Sequence, residues 1–314
     1  MTKLPKTSFT YDNEQLAQLG RRIKKFIRKN YGGLLYSPNN PYLTSEFQKW
    51  LSKREFRMLL ELGLIESTEN NYSWNFFPIY GENLLLFCDF PSYSSNKLYV
   101  WLSNTVSRRS WKFFHTIPIR KEDYVLDLGT GSGLLALQAR QKGCTSIGVD
   151  INPRAIQLAE LNRDLNGLDS VKFRTCDWKY VDNTGFNVIV SQPPFGISLK
   201  GTSPPYSFDG GGQFGLKATK YIIKRFLPEK DQILALYVHS LEYKDRSNLI
   251  NLLIEWIDNP SVLVEINPQG CLSLDLWWEK VKKRRNLSKD QPIPSDFLEY
   301  KEVVFYFIYL TRKD

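Results

Sequence analysis

From Asp123 onward, short apolar stretches alternate with longer amphipathic ones, and that alternation restricts the fold more than any other feature of the chain. Residues 124–128, 146–149, 171–174, 187–190, 233–238, 262–266 and 303–310 have the length and the β-branched and aromatic content of strands. Helical periodicity occupies 134–142, 153–166, 217–226 and 246–257 between most of them. Strands alternating with helices pack as a parallel sheet covered on both faces, because parallel neighbours need a long crossover. Ligands of such sheets bind at the carboxyl ends of the strands, where the strand order reverses. The residues after each strand are therefore the candidates for chemistry.

The first predicted strand runs into Asp127-Leu128-Gly129-Thr130-Gly131-Ser132-Gly133, followed by the helix former Leu134. Glycines at a strand-to-helix turn let a ligand approach the backbone, and the helix amino terminus adds N–H donors. A GxGxxG dinucleotide fingerprint needs glycine at position 134, so the spacing disfavours a nicotinamide-dependent oxidoreductase. Asp127 would repel a pyrophosphate and suits a ligand with a cationic amino group. The second strand ends at Asp150, where a carboxylate accepts both hydroxyls of a ribose. Asp150 could instead cap the helix starting near Pro153, a task for which Asn152 is equally suited. The third strand leads into Cys176-Asp177-Trp178, with Asp177 placed for an exocyclic amine and Trp178 for the flank of a purine. A single such aspartate is commonly a cap. Three at successive strand ends, one behind a glycine turn, point to a bound ligand.

These residues resemble the class I S-adenosylmethionine-dependent methyltransferases, strongly over about 120–240. The stretch Val125 to Leu137 matches the first motif of that family. Gly148 to Gly167, with Ala155, Ala159, Asn162 and Asn166, matches the second. The resemblance implies a Rossmann-like α/β domain of seven strands over 119–314, with 268–299 inserted between the last two. It implies that Gly129, Thr130, Gly131 and Gly133 line the methionine part of S-adenosylmethionine, with Asp127 near its amino group. Asp150 and Ile151 would hold the ribose side, Asp177 and Trp178 the adenine, and Ser191 would also face the cofactor, which leaves as S-adenosylhomocysteine.

Residues 1–118 read as a mainly helical, winged-helix-like module for substrate enclosure or dimerisation. Asp12 with Gln15 caps a first helix to about residue 30, and Ser45 with Gln48 forms a capping-box pattern before a second.

The fourth strand exits into Ser191-Gln192-Pro193-Pro194-Phe195. This resembles the (N/D/S)PP(Y/F) loop of methyltransferases acting mainly on nitrogen: adenine-N6, guanine-N2 and protein glutamine enzymes. Two prolines stiffen the loop, so its polar side chain and backbone accept N–H bonds from a planar amine or amide, and the aromatic ring stacks on it. Gln192, Pro193, Pro194 and Phe195 are the candidate catalytic residues. Gln192 departs from the pattern: it keeps the carboxamide but reaches further by one carbon-carbon bond, about 1.5 Å. The segment 208–216 resembles the GGxxGL piece that follows this loop in glutamine methyltransferases.

The balance of 42 Lys+Arg against 33 Asp+Glu leaves a formal charge of +9, concentrated at 21–29 and 280–285. Lysine and arginine clusters neutralise phosphates, which keeps RNA as the alternative partner, but the first cluster lies on the outer face of an amphipathic helix. Trp277 and Trp278 beside the second either stack on bases or pack over the acceptor cleft. Four dispersed cysteines and two histidines offer no metal-ligand spacing. The apolar run 303–310 is too short for a bilayer and the first residues are polar, so a cytoplasmic protein is expected. The expected activity is methyl transfer to a polar heteroatom, preferably nitrogen, of a small-molecule or peptide acceptor. An enzyme acting on RNA or a ribosome-associated protein, and a non-catalytic cofactor-binding module, are the alternatives. A homodimer is compatible with the sequence.

Overall fold

The computed structural model describes residues 11–31, 43–89, 104–196, 212, 214–285 and 287–313. The first part opens with α1 (Asn13–Tyr31), whose stripe Leu16, Leu19, Ile23, Phe26 and Ile27 is buried. Asp12 caps it by accepting from the Gln15 N–H at 2.8 Å. The second helical stretch is two helices, α2 (Ser45–Trp50) and α3 (Lys53–Glu61). Its capping box is not Ser45 with Gln48: Thr44 caps α2, and the box is Ser52 with Glu55 at the start of α3. The chain then forms two antiparallel pairs, β1 (Ile65–Ser67) with β2 (Tyr72–Trp74), and β3 (Phe77–Gly81) with β4 (Leu84–Cys88). Glu82 and Asn83 turn the second hairpin at positive φ. The described part of this module thus carries two hairpins besides its helices.

The remaining elements are α4 (Asn104–Thr116), β5 (Tyr124–Leu128), α5 (Leu134–Gln141), β6 (Thr145–Asp150), α6 (Pro153–Asn166), β7 (Lys172–Thr175), β8 (Val188–Ser191), α7 (Lys217–Arg225), β9 (Ile233–Glu242), α8 (Asn248–Trp256), β10 (Val262–Ser273), α9 (Leu274–Arg285) and β11 (Glu302–Arg312). Seven strands form one sheet in the order β10-β11-β9-β8-β5-β6-β7. β5 through β9 pair in parallel, and β11 runs antiparallel to both β9 and β10. The order reverses between β5 and β8, which makes their carboxyl ends the place for a ligand.

Two boundaries differ from expectation. β10 continues to Ser273, past a bulge between Pro268 and Cys271, so the segment before β11 starts at 274 and not at 268. Polar residues on this exposed edge strand gave no apolar signal. Helix α4, placed before the boundary at 118, packs Phe113 and Phe114 against Val125, Val188, Tyr237 and Phe307. A sheet buried on both faces needs that cover, so α4 belongs with the sheet.

The N-terminal part shares one core with α5, α6 and β7. At Gly20 of α1, a Cβ would stand 1.7 Å from the Leu165 carbonyl oxygen of α6. Gly20→Ala is therefore expected to lower the unfolding free energy by about 1–3 kcal/mol through overpacking, although alanine is the better helix former. Urea unfolding checks this, and a stabilised variant would contradict the close approach. Helix α6 also carries Asn162 and Asn166, whose amides pair with the backbone of β4, and Arg154, which forms a two-pronged ion pair with Asp89 just beyond β4.

Candidate functional site

The glycine turn closes over the end of the neighbouring strand. The N–H groups of Gly129 and Thr130 both donate to the Val149 carbonyl, at 2.8 and 3.0 Å. Gly129, Gly131 and Gly133 adopt φ of 72°, 55° and 90°, a region that L side chains rarely enter. A Cβ on Gly129 or Gly131 would meet nothing within 4 Å, so both face open space at the switch point. Gly133 differs: its Cβ would press on Phe173 and Ala159 at 3.0 and 3.1 Å. Its glycine lets the turn pack on α6 and β7, whereas the other two leave a cradle.

Asp127 is buried beneath this turn. Its Oδ2 accepts from the Thr130 hydroxyl at 2.6 Å and from the Ala136 N–H at 3.2 Å. Burial pushes its carboxyl up to about 7, against the pull of those two hydrogen bonds. The native carboxyl thus holds a proton that the unfolded chain releases near pH 4. Between about pH 4 and 7 the folded state binds more protons, so stability falls as pH rises through that window. Asp127→Asn keeps an oxygen for both donors and is expected to flatten this slope in the ligand-free protein. Thermal unfolding between pH 5 and 8 checks this, and an unchanged slope in the variant would contradict it.

At the end of β6 the helix cap is Asn152, whose side chain accepts from the Arg154 N–H. Asp150 is left half-buried at the rim of the cradle, accepting from Gly131 N–H and Asn152 N–H, each at 2.9 Å. Burial raises its pKa, opposed by backbone N–H groups of Asn152, Gly131 and Ile151. Ile151 beside it is 66% exposed. At the end of β7, Asp177 caps a short 3-10 turn by accepting from the Lys179 N–H at 3.0 Å, and pairs with the Lys179 ammonium at 3.2 Å. Trp178 is half-buried with its ring 6.4 Å from that of Tyr221.

Ser191 is fully buried and donates its hydroxyl to the Leu128 carbonyl at 2.6 Å. It ties β8 to β5 from inside the sheet, so it does not face the cradle as expected. The next residue, Gln192, is half-buried, and its Oε1 accepts from the Ser110 hydroxyl on α4. The longer side chain is thus held at its tip. Pro193 is buried, and the Phe195 ring lies over His239 of β9 with centroids 3.7 Å apart and planes 31° from parallel. The His239 and Phe305 rings lie perpendicular to each other with centroids 4.4 Å apart, and the Arg109 guanidinium lies over the same phenylalanine at 3.8 Å.

Ser110, Arg109 and Phe305 escaped the sequence reading, and His239 reads from the sequence only as a strand-end histidine held by the backbone. The first two come from α4, which precedes the first strand of the seven-stranded sheet, and nothing local marks them. His239 stands on β9 three residues beyond Leu236, the partner of Ser191 at the end of β8, and its position was the available signal.

The segment 274–301 packs onto the sheet through its own aromatic cluster. Trp278 is buried and donates its indole N–H to the Gln291 carbonyl at 2.9 Å, which removes it from any base-stacking surface. Phe214, at the end of the glycine-rich segment, contacts Phe297 and Tyr300 of this cluster. The rest of 208–216, apart from 212, 215 and 216, lies outside the described residues. Four basic side chains of the two clusters have internal partners: Arg21 with Glu14, Arg22 with Glu55 and the Trp50 carbonyl, Lys24 with the Asn83 carbonyl, and Lys282 with Glu279. Among the described residues, no helix is long and apolar enough to cross a membrane.

An open glycine cradle at the β5/β8 switch point, with a carboxylate at its rim, fits a cofactor that combines a ribose with an amino-acid tail. Together with the strand order and the antiparallel β11, it has the arrangement of class I S-adenosylmethionine-dependent methyltransferase domains. In agreement, residues 119–236 match the family described as Methyltransferase domain. The chain is similar to the release factor glutamine methyltransferase of Buchnera aphidicola subsp. Acyrthosiphon pisum, 26% identical over 55% of this chain and 66% of the relative. It is also similar to the release factor glutamine methyltransferase of Agrobacterium fabrum, 35% identical over 35% of this chain and 43% of the relative. Both matches span less than two thirds of the relative's length. A solved S-adenosylmethionine-dependent methyltransferase of Geobacter sulfurreducens, in complex with S-adenosylhomocysteine, aligns at a TM-score of 0.41 with 17% identity, over 66% of this chain and 91% of that one.

Proposed function

We propose that the protein is an S-adenosylmethionine-dependent methyltransferase that modifies an amide nitrogen carried by a polypeptide, of the glutamine side-chain class. The observation that carries this reading is the loop Gln192-Pro193-Pro194-Phe195 at the end of β8, beside the cradle over Gly129 and Gly131. The names of the relatives support the amide class and a polypeptide acceptor.

In this reading the cofactor supplies an electrophilic sulfonium methyl group. The backbone at Gly129, Thr130 and Gly131 receives its amino-acid tail, and Asp127 holds that turn in shape from below. Asp150 accepts the ribose hydroxyls, Ile151 covers one face of the adenine, and Asp177 and Trp178 stand at its edge. Gln192 and the carbonyls of its loop bind the acceptor amide and aim its nitrogen at the methyl group, while Phe195, backed by His239, covers the planar amide. The contribution of the protein is proximity, orientation and exclusion of water. The N-terminal part and the segment 274–301 enclose the acceptor.

Transfer of a labelled methyl group into separated protein, RNA and small-molecule fractions tests the reading, with label expected in protein, on glutamine after proteolytic digestion without acid hydrolysis. Label confined to RNA would overturn it. In the accepting fraction, Gln192→Ala is expected to lower turnover by about tenfold to a hundredfold, the range for one misplaced positioning group, with S-adenosylhomocysteine affinity within twofold of the unmodified protein. Equal losses of turnover and affinity would place Gln192 in the cofactor site instead.

A further inference from the structure

Asn162 of α6 is fully buried, and three backbone partners settle the orientation of its amide. Its Oδ1 accepts from the Phe87 N–H at 2.8 Å, and its Nδ2 donates to the Phe87 carbonyl at 3.1 Å and to the Ser132 carbonyl at 2.8 Å. The first two bonds close the edge of β4 that β3 leaves open. The third reaches into the glycine turn. Asn166, one helical turn later, makes the same pair of bonds with Leu85, at 3.0 and 2.6 Å. Its other partners are the Asn162 carbonyl and Lys24, not the turn.

We infer that Asn162 is a positioning residue for the cofactor turn, and that the β3–β4 hairpin is through it a part of the cofactor site; this rests on the cofactor reading proposed above. Three glycines between 129 and 133 give the turn more conformational freedom than any other residues would, and a ligand that binds its backbone must select one arrangement. Whatever ordering is left to the moment of binding is subtracted from affinity. The sheet holds the front of the turn, through Val149 to Gly129 and Thr130, through Asp127 to Thr130, and through Asp150 to Gly131. The back, at the Ser132–Gly133 peptide, is held by Asn162. That amide is itself kept in place by Phe87, so loss of the hairpin contact would free Nδ2 to turn away from Ser132. Docking of the hairpin and the shape of the turn therefore share one side chain, and the ligand and the hairpin stabilise each other.

Asn162 and Asn166 form a matched pair for the test, because both bind β4 and Asn162 alone of the two binds the turn. Calorimetric titration of the full chain with S-adenosylhomocysteine, beside thermal melting of the ligand-free protein, reads the two effects separately. Asn162→Ala is expected to weaken binding about tenfold, as for one lost bond to a buried carbonyl. Asn166→Ala is expected to lower the melting temperature as well but to change affinity less than twofold. Equal changes of affinity in the two variants, or none in either, would overturn the inference. Should Asn162→Ala not fold, amide exchange in the unmodified protein carries the test. S-adenosylhomocysteine is then expected to slow exchange at Phe87 more than at Leu85, and equal slowing counts against the shared side chain. Failure of the unmodified protein to bind S-adenosylhomocysteine is a separate result, which removes the cofactor reading and the inference with it.

Discussion

Asp150→Ala is expected to weaken S-adenosylhomocysteine binding by about 10²–10³-fold while the protein remains folded. Hydrogen bonds to a charged group contribute about 1.5–3 kcal/mol each, and in the proposed reading the Asp150 carboxylate takes two ribose hydroxyls. Tenfold in affinity corresponds to about 1.4 kcal/mol, so two such bonds account for the range. The variant also removes an acceptor from the Gly131 N–H, which loosens the turn proposed to receive the amino-acid tail. Folding is spared because Asn152, not Asp150, supplies the cap of α6. Calorimetric titration checks the prediction, and a loss below tenfold would show that the ribose lies elsewhere. Asp150→Asn separates charge from shape: it keeps one acceptor oxygen and is expected to fall between the two.

Arg154→Ala is expected to lower the unfolding free energy by about 3–5 kcal/mol, the usual result of removing one partner of a buried ion pair. Arg154 and Asp89 are 5% and 3% exposed, so water cannot take over the solvation of the remaining carboxylate. The pair joins the first turn of α6 to the chain just beyond β4, and its loss acts on the seam between the N-terminal part and the sheet. The double variant Arg154→Met with Asp89→Leu is expected to recover much of the loss, because apolar residues of similar volume often replace a buried pair without net cost. Denaturant unfolding measures both. A single-variant effect below about 1 kcal/mol would mean that the pair is solvated in solution and does not hold the seam.

Several parts of the site were legible residue by residue because they obey local rules. The glycine turn is visible since positive φ at a strand exit requires glycine, and Gly129 and Gly131 adopt it. Asp150 was singled out by its place at a strand end, while its competition with Asn152 for the cap was decided only by the fold. Ser191 shows the limit of position alone. At the end of a central strand its side chain points along the sheet to Leu128, and sequence spacing does not tell which side of a strand faces a ligand.

The acceptor side was less legible for a different reason. Gln192 reads as a misfit to its motif until Ser110 is placed against its tip, and 82 residues separate the two. The same holds for Asn162 and Asn166. They match a family motif on α6, yet their partners Phe87 and Leu85 lie on a hairpin that reads as part of a separate module.

By itself the sequence determined the order of the seven strands and of α5, α6, α7 and α8 in the sheet domain, because apolar periodicity and chain length are local properties. It likewise determined the glycine turn and the proline-stiffened loop, whose backbone requirements only certain residues meet. The tertiary structure decided which of these surfaces face one another. It turned Gly133 and Ser191 inward, set His239 under Phe195, brought Ser110 to Gln192, and joined the N-terminal hairpin to the turn through Asn162. Those pairings depend on how two covers close over a sheet, and contacts across such distances leave no periodic trace in the chain.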